Sequence, residues 1–377
     1  MPGAAAGEMA ASSPEIGGVS VSAIEFGIVG AGWRAEFYLR IARALPERFR
    51  VAGVVVRNDE KRAAFGRTWG IPVFAALDEM LAKSSPSFVV TSVHWAANPV
   101  YLNDLADRGV PTLSETPPAP DIEGLIAVNR LTEKGARIQV AEQYSFQPHH
   151  AATLSLIAKG VLGRPTQAQV SCAHGYHGIS LIRRFLGLRF EPPKIRARRF
   201  ASPIVAGPDR HGALAEERVT DSVQDLAWLD WGDRLGVFDF TSDQYFSWIR
   251  NPRLLVRGER GEIVSDRVCY LQDFRAPIEL HFLRRAAGEQ GNLEGVFFKG
   301  LQIGEEWVYR NPFAPAALSD DEIAIATALA KMDEYVRTGR DFYALAEASQ
   351  DHYLNLLVAQ AIQEEREVQA ESMPWAQ

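Results

Sequence analysis

Residues 26–35 read Phe-Gly-Ile-Val-Gly-Ala-Gly-Trp-Arg-Ala, FGIVGAGWRA. The apolar run Ile24–Val29 predicts a buried strand, and the amphipathic stretch that ends at Ala44 and Leu45-Pro46 predicts a helix. Between them lies Gly30-x-Gly32-x-x-Ala35. In such a unit the first glycine permits the tight turn and the second lets a diphosphate approach the backbone. A small third residue lets helix and sheet pack closely. Free N–H groups and the positive dipole end at the helix start favour phosphate there. Gly30, Gly32, Trp33 and Arg34 are therefore candidate contacts to a dinucleotide.

The alternation continues to about Glu142. Val51–Val56, Phe88–Val93, Val110–Leu113 and Ile138–Ala141 read as strands, and 59–69, 76–83, 100–107 and 122–134 read as helices. Asp121 is the expected N-cap of the last of these and Gly135 its stop. Strands that are apolar throughout imply a parallel sheet covered on both faces, hence an α/β fold. After Pro148 the texture changes. A helix over 149–159, a strand over 166–172 and a helix over 180–186 precede long alternating runs. WLDWGDRLGVFDF (228–240) and RLLVRGERGEIVSD (253–266) read as hairpins of a mostly antiparallel sheet. The end is helical again, over 320–338 and 343–365.

The chain has 377 residues, of which 47% are hydrophobic and 23% charged, with a net charge of -7. That length suits two domains. The negative balance gives no attraction to nucleic acid or anionic membrane, and no apolar run approaches the roughly 20 residues that span a bilayer. Two cysteines, Cys172 and Cys269, fit a reducing cytoplasm. Residues 1–22, rich in Ala, Gly and Ser, read as a flexible leader.

Several residues carry chemistry. After the second strand come Arg57 and Asn58, where an NAD-selective site would hold an acid; an arginine suits a 2′-phosphate, so NADP(H) is favoured over NAD(H), the alternative being that Arg57 is a solvated loop charge and Asp59 reaches back to the ribose. His177, opening a helix in a Gly-flanked segment, is the candidate general acid/base, since imidazole moves protons near neutral pH. His174 with His177 forms an H-x-x-H pair, but no third ligand is nearby and no metal is expected. Tyr144 ends the last strand on the edge facing the cofactor and could bind substrate or donate a proton, or could only line the seam; Glu142 and Gln143 stand equally open. Arg183 could bind an anionic group, while His149 and His150 read as helix-surface residues. Tyr245, Phe246 and Trp248 could stack on a sugar, although sheet core is the more usual place for them.

FGIVGAGWRA (26–35), FVVTSVHWAAN (88–98), GVPTLSETPPA (109–119), AEQYSFQP (141–148), GVLGRPTQAQV (160–170) and HGYHGISLIRRFLG (174–187) together resemble the glucose-fructose oxidoreductase / inositol dehydrogenase / MocA family of NAD(P)-dependent oxidoreductases. The resemblance covers nearly the whole chain after the leader. It implies a Rossmann domain (23–145) and a C-terminal α+β domain (146–377) whose large, open-faced, mostly antiparallel sheet binds substrate and pairs subunits into a homodimer or homotetramer. By resemblance, Ser92, Val93, His94 and Asn98 border the nicotinamide ribose, and Glu115-Thr116-Pro117 stands on a Glu-Lys-Pro motif, which makes Glu115 and Thr116 candidate cofactor contacts in the nicotinamide pocket. His177 falls on the family's histidine. Ala173 and Ser180 stand where it carries aspartates, and Thr116 where it carries lysine. His174, Ser180, Arg183 and Gln143 are candidate substrate contacts, and Thr116, His177 and Tyr144 the candidate catalytic set. Thr116-Pro117 is a place to expect a cis peptide. The implied activity is hydride transfer on a polyhydroxylated small molecule, with the cofactor consumed or recycled in place. The alternative is a dinucleotide-binding regulatory protein without turnover.

Overall fold

In the computed structural model, residues 23–210, 212–288 and 295–376 are described; the predicted leader lies outside them. The first half builds a six-stranded sheet from β1 (Ile24–Val29), β2 (Phe49–Val55), β3 (Val73–Phe74), β4 (Phe88–Thr91), β5 (Thr112–Ser114) and β6 (Ile138–Val140). Every pairing in it is parallel, and the order is β3-β2-β1-β4-β5-β6. That order reverses direction between β1 and β4, and the carboxyl ends of strands at such a reversal are where ligands bind.

The connecting helices are α1 (Trp33–Ala44), α2 (Asp59–Trp69), α3 (Leu77–Lys83), α4 (Asn98–Asp107) and α5 (Ile122–Glu133). Their ends follow local chemistry. Asn58 caps α2 by accepting from the Lys61 amide at 2.8 Å, and Gly70 closes it in the left-handed region at φ +65°. Asp121 caps α5 through the Gly124 amide. Helix α4 starts two residues earlier than its apolar pattern suggests, because Pro99 sits in its first turn, where a missing N–H costs nothing. Strand β4 ends at Thr91, earlier than predicted, and Ser92 and Val93 turn towards a cavity.

A second, eleven-stranded sheet follows α6 (Pro148–Ala158). It comprises β7 (Pro165–Ser171), β8 (Lys194–Val205), β9 (Val219–Asp230), β10 (Leu235–Thr241), β11 (Arg253–Gly258), β12 (Gly261–Val264), β13 (Arg267–Asp273), β14 (Ala276–Ala287), β15 (Phe297–Ile303), β16 (Glu306–Arg310) and β17 (Val368–Gln369). Only β7 and β10 pair in parallel; the rest are antiparallel. The hairpins expected at 228–240 and 253–266 form as β9–β10 and β11–β12. Helix α7 (Gly175–Leu186) is buried almost from end to end. Helices α8 (Asp320–Thr338) and α9 (Leu345–Glu364) return to the first sheet: the Val140 amide donates to the Tyr343 carbonyl, and α8 carries a Ser319/Glu322 capping box. One apolar core therefore runs from Phe26 and Phe88 through Phe185 to Leu354.

The tightest point is the first glycine. Gly30 has φ +109°, and a Cβ there would stand 2.0 Å from the Ser92 carbonyl oxygen. Gly30→Ala is expected to destabilise the protein by about 2–5 kcal/mol through strain and overpacking, whereas Gly32→Ala, which meets nothing within 4 Å, leaves apoprotein stability nearly unchanged. Denaturant midpoints of the two variants check this.

Candidate functional site

A cavity of about 1140 Å³ opens over the carboxyl ends of β1, β2 and β4 and is closed on its far side by residues of the second half. Its Rossmann wall holds Gly30, Gly32 and Trp33. Helix α1 begins there with no side chain capping its N-terminus; the Ala35 amide bonds the Gly32 carbonyl at 3.0 Å, and the Trp33 and Arg34 amides have no partner among the described residues. With Gly32 leaving open space where a Cβ would stand, this cradle fits a dinucleotide diphosphate. Arg57, Asn58 and Lys61 line the end beside β2, and Ser92, Val93, His94 and Thr116 line the other.

The floor belongs to His177, in the first turn of α7. Its Nδ1 lies 2.5 Å from Glu142 Oε2, and the two residues are 2% and 1% exposed. Glu142 Oε1 accepts from the Tyr144 amide at 3.2 Å. Burial pushes the Glu142 carboxyl up despite that donor. Burial, helped by the Arg34 charge, pushes the His177 imidazole down. An ion pair by distance is thus disfavoured by desolvation on both sides, and the pair shares its proton in a hydrogen bond without charge separation. Among the described residues Nε2 has no partner, and the ring lies on the cavity. Tyr144, Tyr176 and His174 wall it at ring-centroid distances of 4.5, 4.4 and 4.8 Å. The Tyr144 hydroxyl stands 3.0 Å from that of Tyr245, which bonds His174 Nδ1 at 2.6 Å.

Thr116 follows Glu115 and precedes a cis peptide to Pro117. Its carbonyl accepts from the Tyr176 hydroxyl at 3.4 Å. The Glu115 carboxylate is engaged by the Tyr38 hydroxyl at 2.6 Å and by Arg34 at 3.7 Å.

Several expectations are corrected by this geometry. Arg34 lines the cavity as expected of a cofactor contact, but its guanidinium is already held by Glu115, by Asp321 at 3.3 Å and by the Gln143 amide oxygen at 3.0 Å. Asn98 is buried behind the cavity and donates to Ser114 Oγ and the Pro118 carbonyl, bracing the loop after β5. Ser180 and Arg183 lie deeper along α7, of which only the first turn reaches the cavity. Ser180 bonds the Tyr343 hydroxyl, and Arg183 is clamped by Asp351 and Glu347. His150 is buried rather than on the surface, with Nδ1 donating to the Tyr144 carbonyl at 2.8 Å. Tyr245 and Phe246 line the cavity instead of the sheet core, while Trp248 is 78% exposed.

Lys61, Tyr176, Arg210, Gln147 and Asp321 also line the cavity without having been singled out. Lys61 had a usable signal, a cation in the first turn after the second strand, and Tyr176 adjoins His177. Arg210, from the loop between β8 and β9, and Asp321, from the first turn of α8, are distant in sequence and carry none. Cys172 is inert as a nucleophile: burial pushes its thiol up to about 12. Among the described residues no group of three or more His, Cys, Asp or Glu could hold a metal, and no helix is long and apolar enough to cross a membrane.

Residues 24–142 match the sequence profile of an oxidoreductase family with an NAD-binding Rossmann fold, Gfo/Idh/MocA. A levoglucosan dehydrogenase, solved with NADH and levoglucosan, superposes with a TM-score of 0.67 at 15% identity, over 92% of this chain and 99% of its own. An oxidoreductase from Agrobacterium radiobacter, solved with NAD+, L-tartaric acid and magnesium, gives 0.65 at 14%, over 92% and 98%. A myo-inositol dehydrogenase from Corynebacterium glutamicum gives 0.62 at 15%, over 93% and 100%. At these identities the likeness is one of fold. No curated protein matches the sequence.

Burial pushes His150 down to about 4 from an ordinary 6.5. The unfolded chain then takes up the proton that the folded one refuses. The contribution of His150 to stability is full above pH 6.5 and is lost as pH drops towards 4, by up to about 1.4 kcal/mol per pH unit. His150→Asn, which keeps a donor for the Tyr144 carbonyl, is expected to flatten that slope in urea titrations between those limits.

Proposed function

We propose that the chain is a member of the glucose-fructose oxidoreductase / inositol dehydrogenase / MocA family, whose model matches residues 24–142, and that it moves hydride between NADP(H) and a secondary alcohol or ketone of a small sugar- or cyclitol-like molecule. The observation that carries this reading is the His177–Glu142 pair at the floor of the glycine-loop cavity, with Nε2 open to it. Levoglucosan and inositol dehydrogenases among the structural relatives favour a polyhydroxylated substrate. So does the cavity's inner end, where tyrosine hydroxyls and neutral imidazoles offer hydrogen bonds, and Tyr245 and Phe246 offer apolar faces.

A bound nicotinamide supplies the hydride acceptor or donor at its C4. The protein's part is the proton. In the oxidising direction the substrate hydroxyl gives its proton to His177 Nε2, and the Nδ1 proton passes to Glu142 Oε2. The imidazole ends neutral and the carboxyl protonated, so no charge is left unsolvated on either group. In reduction both shifts reverse. The Thr116 hydroxyl and the Tyr144–Tyr245–His174 chain orient the substrate's other hydroxyls. With Gln143 held to Arg34, its role is to fix that guanidinium.

NADP(H) is preferred over NAD(H) in this reading because Arg57 and Lys61 face the adenine end with no carboxylate partner among the described residues. Asp59, the acid nearest to a ribose-reading position, is taken by Arg62 at 2.7 Å. A neutral Thr116 at a position where the resembling family carries lysine favours a second form, in which the cofactor stays bound and the net change is an isomerisation, epimerisation or elimination. The same residue favours a regulatory protein without turnover. We further propose a cytoplasmic homodimer or homotetramer joined through the C-terminal sheet, where Phe200, Val223 and Trp228 are exposed on β8 and β9.

A polyol and sugar panel assayed with both nucleotides tests the reading. His177→Ala is expected to lower turnover by about 10²–10⁴, and Glu142→Gln, which keeps a hydrogen bond but takes no proton, to lose most of that factor. Nucleotide binding with no turnover on any panel member would support the regulatory reading. Arg57→Ala with Lys61→Ala is expected to weaken NADP+ about tenfold or more while leaving NAD+ nearly unchanged; an unaltered ratio would refute the preference.

A further inference from the structure

Between β8 and β9 the chain leaves the second sheet as a loop whose described residues are 206–210 and 212–218. Its base is closed by the Ala206 amide on the Arg218 carbonyl at 2.9 Å. Gly207 packs so tightly on the Ser247 backbone that a Cβ would stand 3.1 Å from Ser247 Cα. That contact ties the loop to the segment carrying Tyr245 and Phe246, which already lines the cavity. Further along, Arg210 reaches across to the other sheet, where its guanidinium lies 3.9 Å from the centroid of the Trp33 ring. Trp33 is the residue directly after Gly32, at the uncapped start of α1.

Arg210 has no carboxylate partner among the described residues, unlike Arg34, whose charge is spent on Glu115 and Asp321. Stacking on an indole uses the flat face of a guanidinium and leaves its N–H edge free. That edge is suited to two oxygens of neighbouring phosphates. A cation so placed, beside free helix amides and on the wall of the same cavity, has one chemical counterpart: a diphosphate. Resting on the dinucleotide reading above, we propose that Arg210 is a diphosphate ligand, pre-stacked on Trp33 and delivered by the second half of the chain. Cofactor binding then pins the β8–β9 loop over the glycine turn and joins the two sheets across the site.

The experiment is equilibrium binding of NADP+, NAD+ and adenosine 2′,5′-bisphosphate to the full-length wild type and Arg210→Gln. The third probe keeps the 2′-phosphate but has no diphosphate. The variant is expected to bind NADP+ and NAD+ each about tenfold more weakly, with the bisphosphate unchanged. A variant that binds both dinucleotides as tightly as the wild type would overturn the assignment. A loss confined to NADP+ and the bisphosphate would also overturn it, since Arg210 would then read the 2′-phosphate. Wild type that binds neither dinucleotide would overturn the functional reading itself, whereas tight wild-type binding with an unaltered variant overturns only the role of Arg210.

Discussion

The hydrogen bond between His177 and Glu142 joins the two halves of the molecule at the place where chemistry is possible. Glu142 comes just after the last parallel strand, and His177 opens the helix that lies under the second sheet. Neither can be charged cheaply, because each is almost fully buried, and neither can lose the other without leaving an unsatisfied polar group in the core. The arrangement is therefore both a structural tie and a proton store.

Around it the remaining buried charge is neutralised in a set order. Arg34 from α1 reaches Glu115 after β5 and Asp321 at the start of α8, and Arg40 on α1 reaches Glu322 in the same turn of α8. These contacts hold α8 against α1, the glycine-loop helix, and place fixed charges beside the cavity. Arg34 also brings a guanidinium near the reaction end, where Thr116 has only a hydroxyl. Its charge helps to keep the His177 imidazole neutral.

The parallel half of the fold was legible because its signals are local. Apolar strands, the glycine turn, Asn58, Asp121 and the hairpin turns each act within a few residues. Gly30, Gly32 and His177 stand in short stretches with local signals, Thr116 in one singled out by resemblance, and all four line the cavity. What was not legible depends on packing between distant segments. Nothing near Ser180 or Arg183 tells that α7 dives into the core after one turn. Nothing near Asn98 tells that its amide braces a loop 16 to 20 residues away. Arg34 read as a phosphate contact because its neighbours in sequence are the glycines, while its partner Asp321 lies 287 positions away. Glu142 stayed undecided until a histidine 35 residues on was seen against it.

The central claim is that this pair takes up one proton as a unit, with the imidazole neutral before and after. Nitrogen-15 NMR of His177 across a pH titration reads it directly. The account predicts one protonated and one bare ring nitrogen throughout, the proton moving from Nδ1 to Nε2 as Glu142 becomes a carboxylic acid, and loss of that switch in Glu142→Gln. A doubly protonated imidazolium, titrating near the ordinary histidine value with Glu142 ionised, would contradict it.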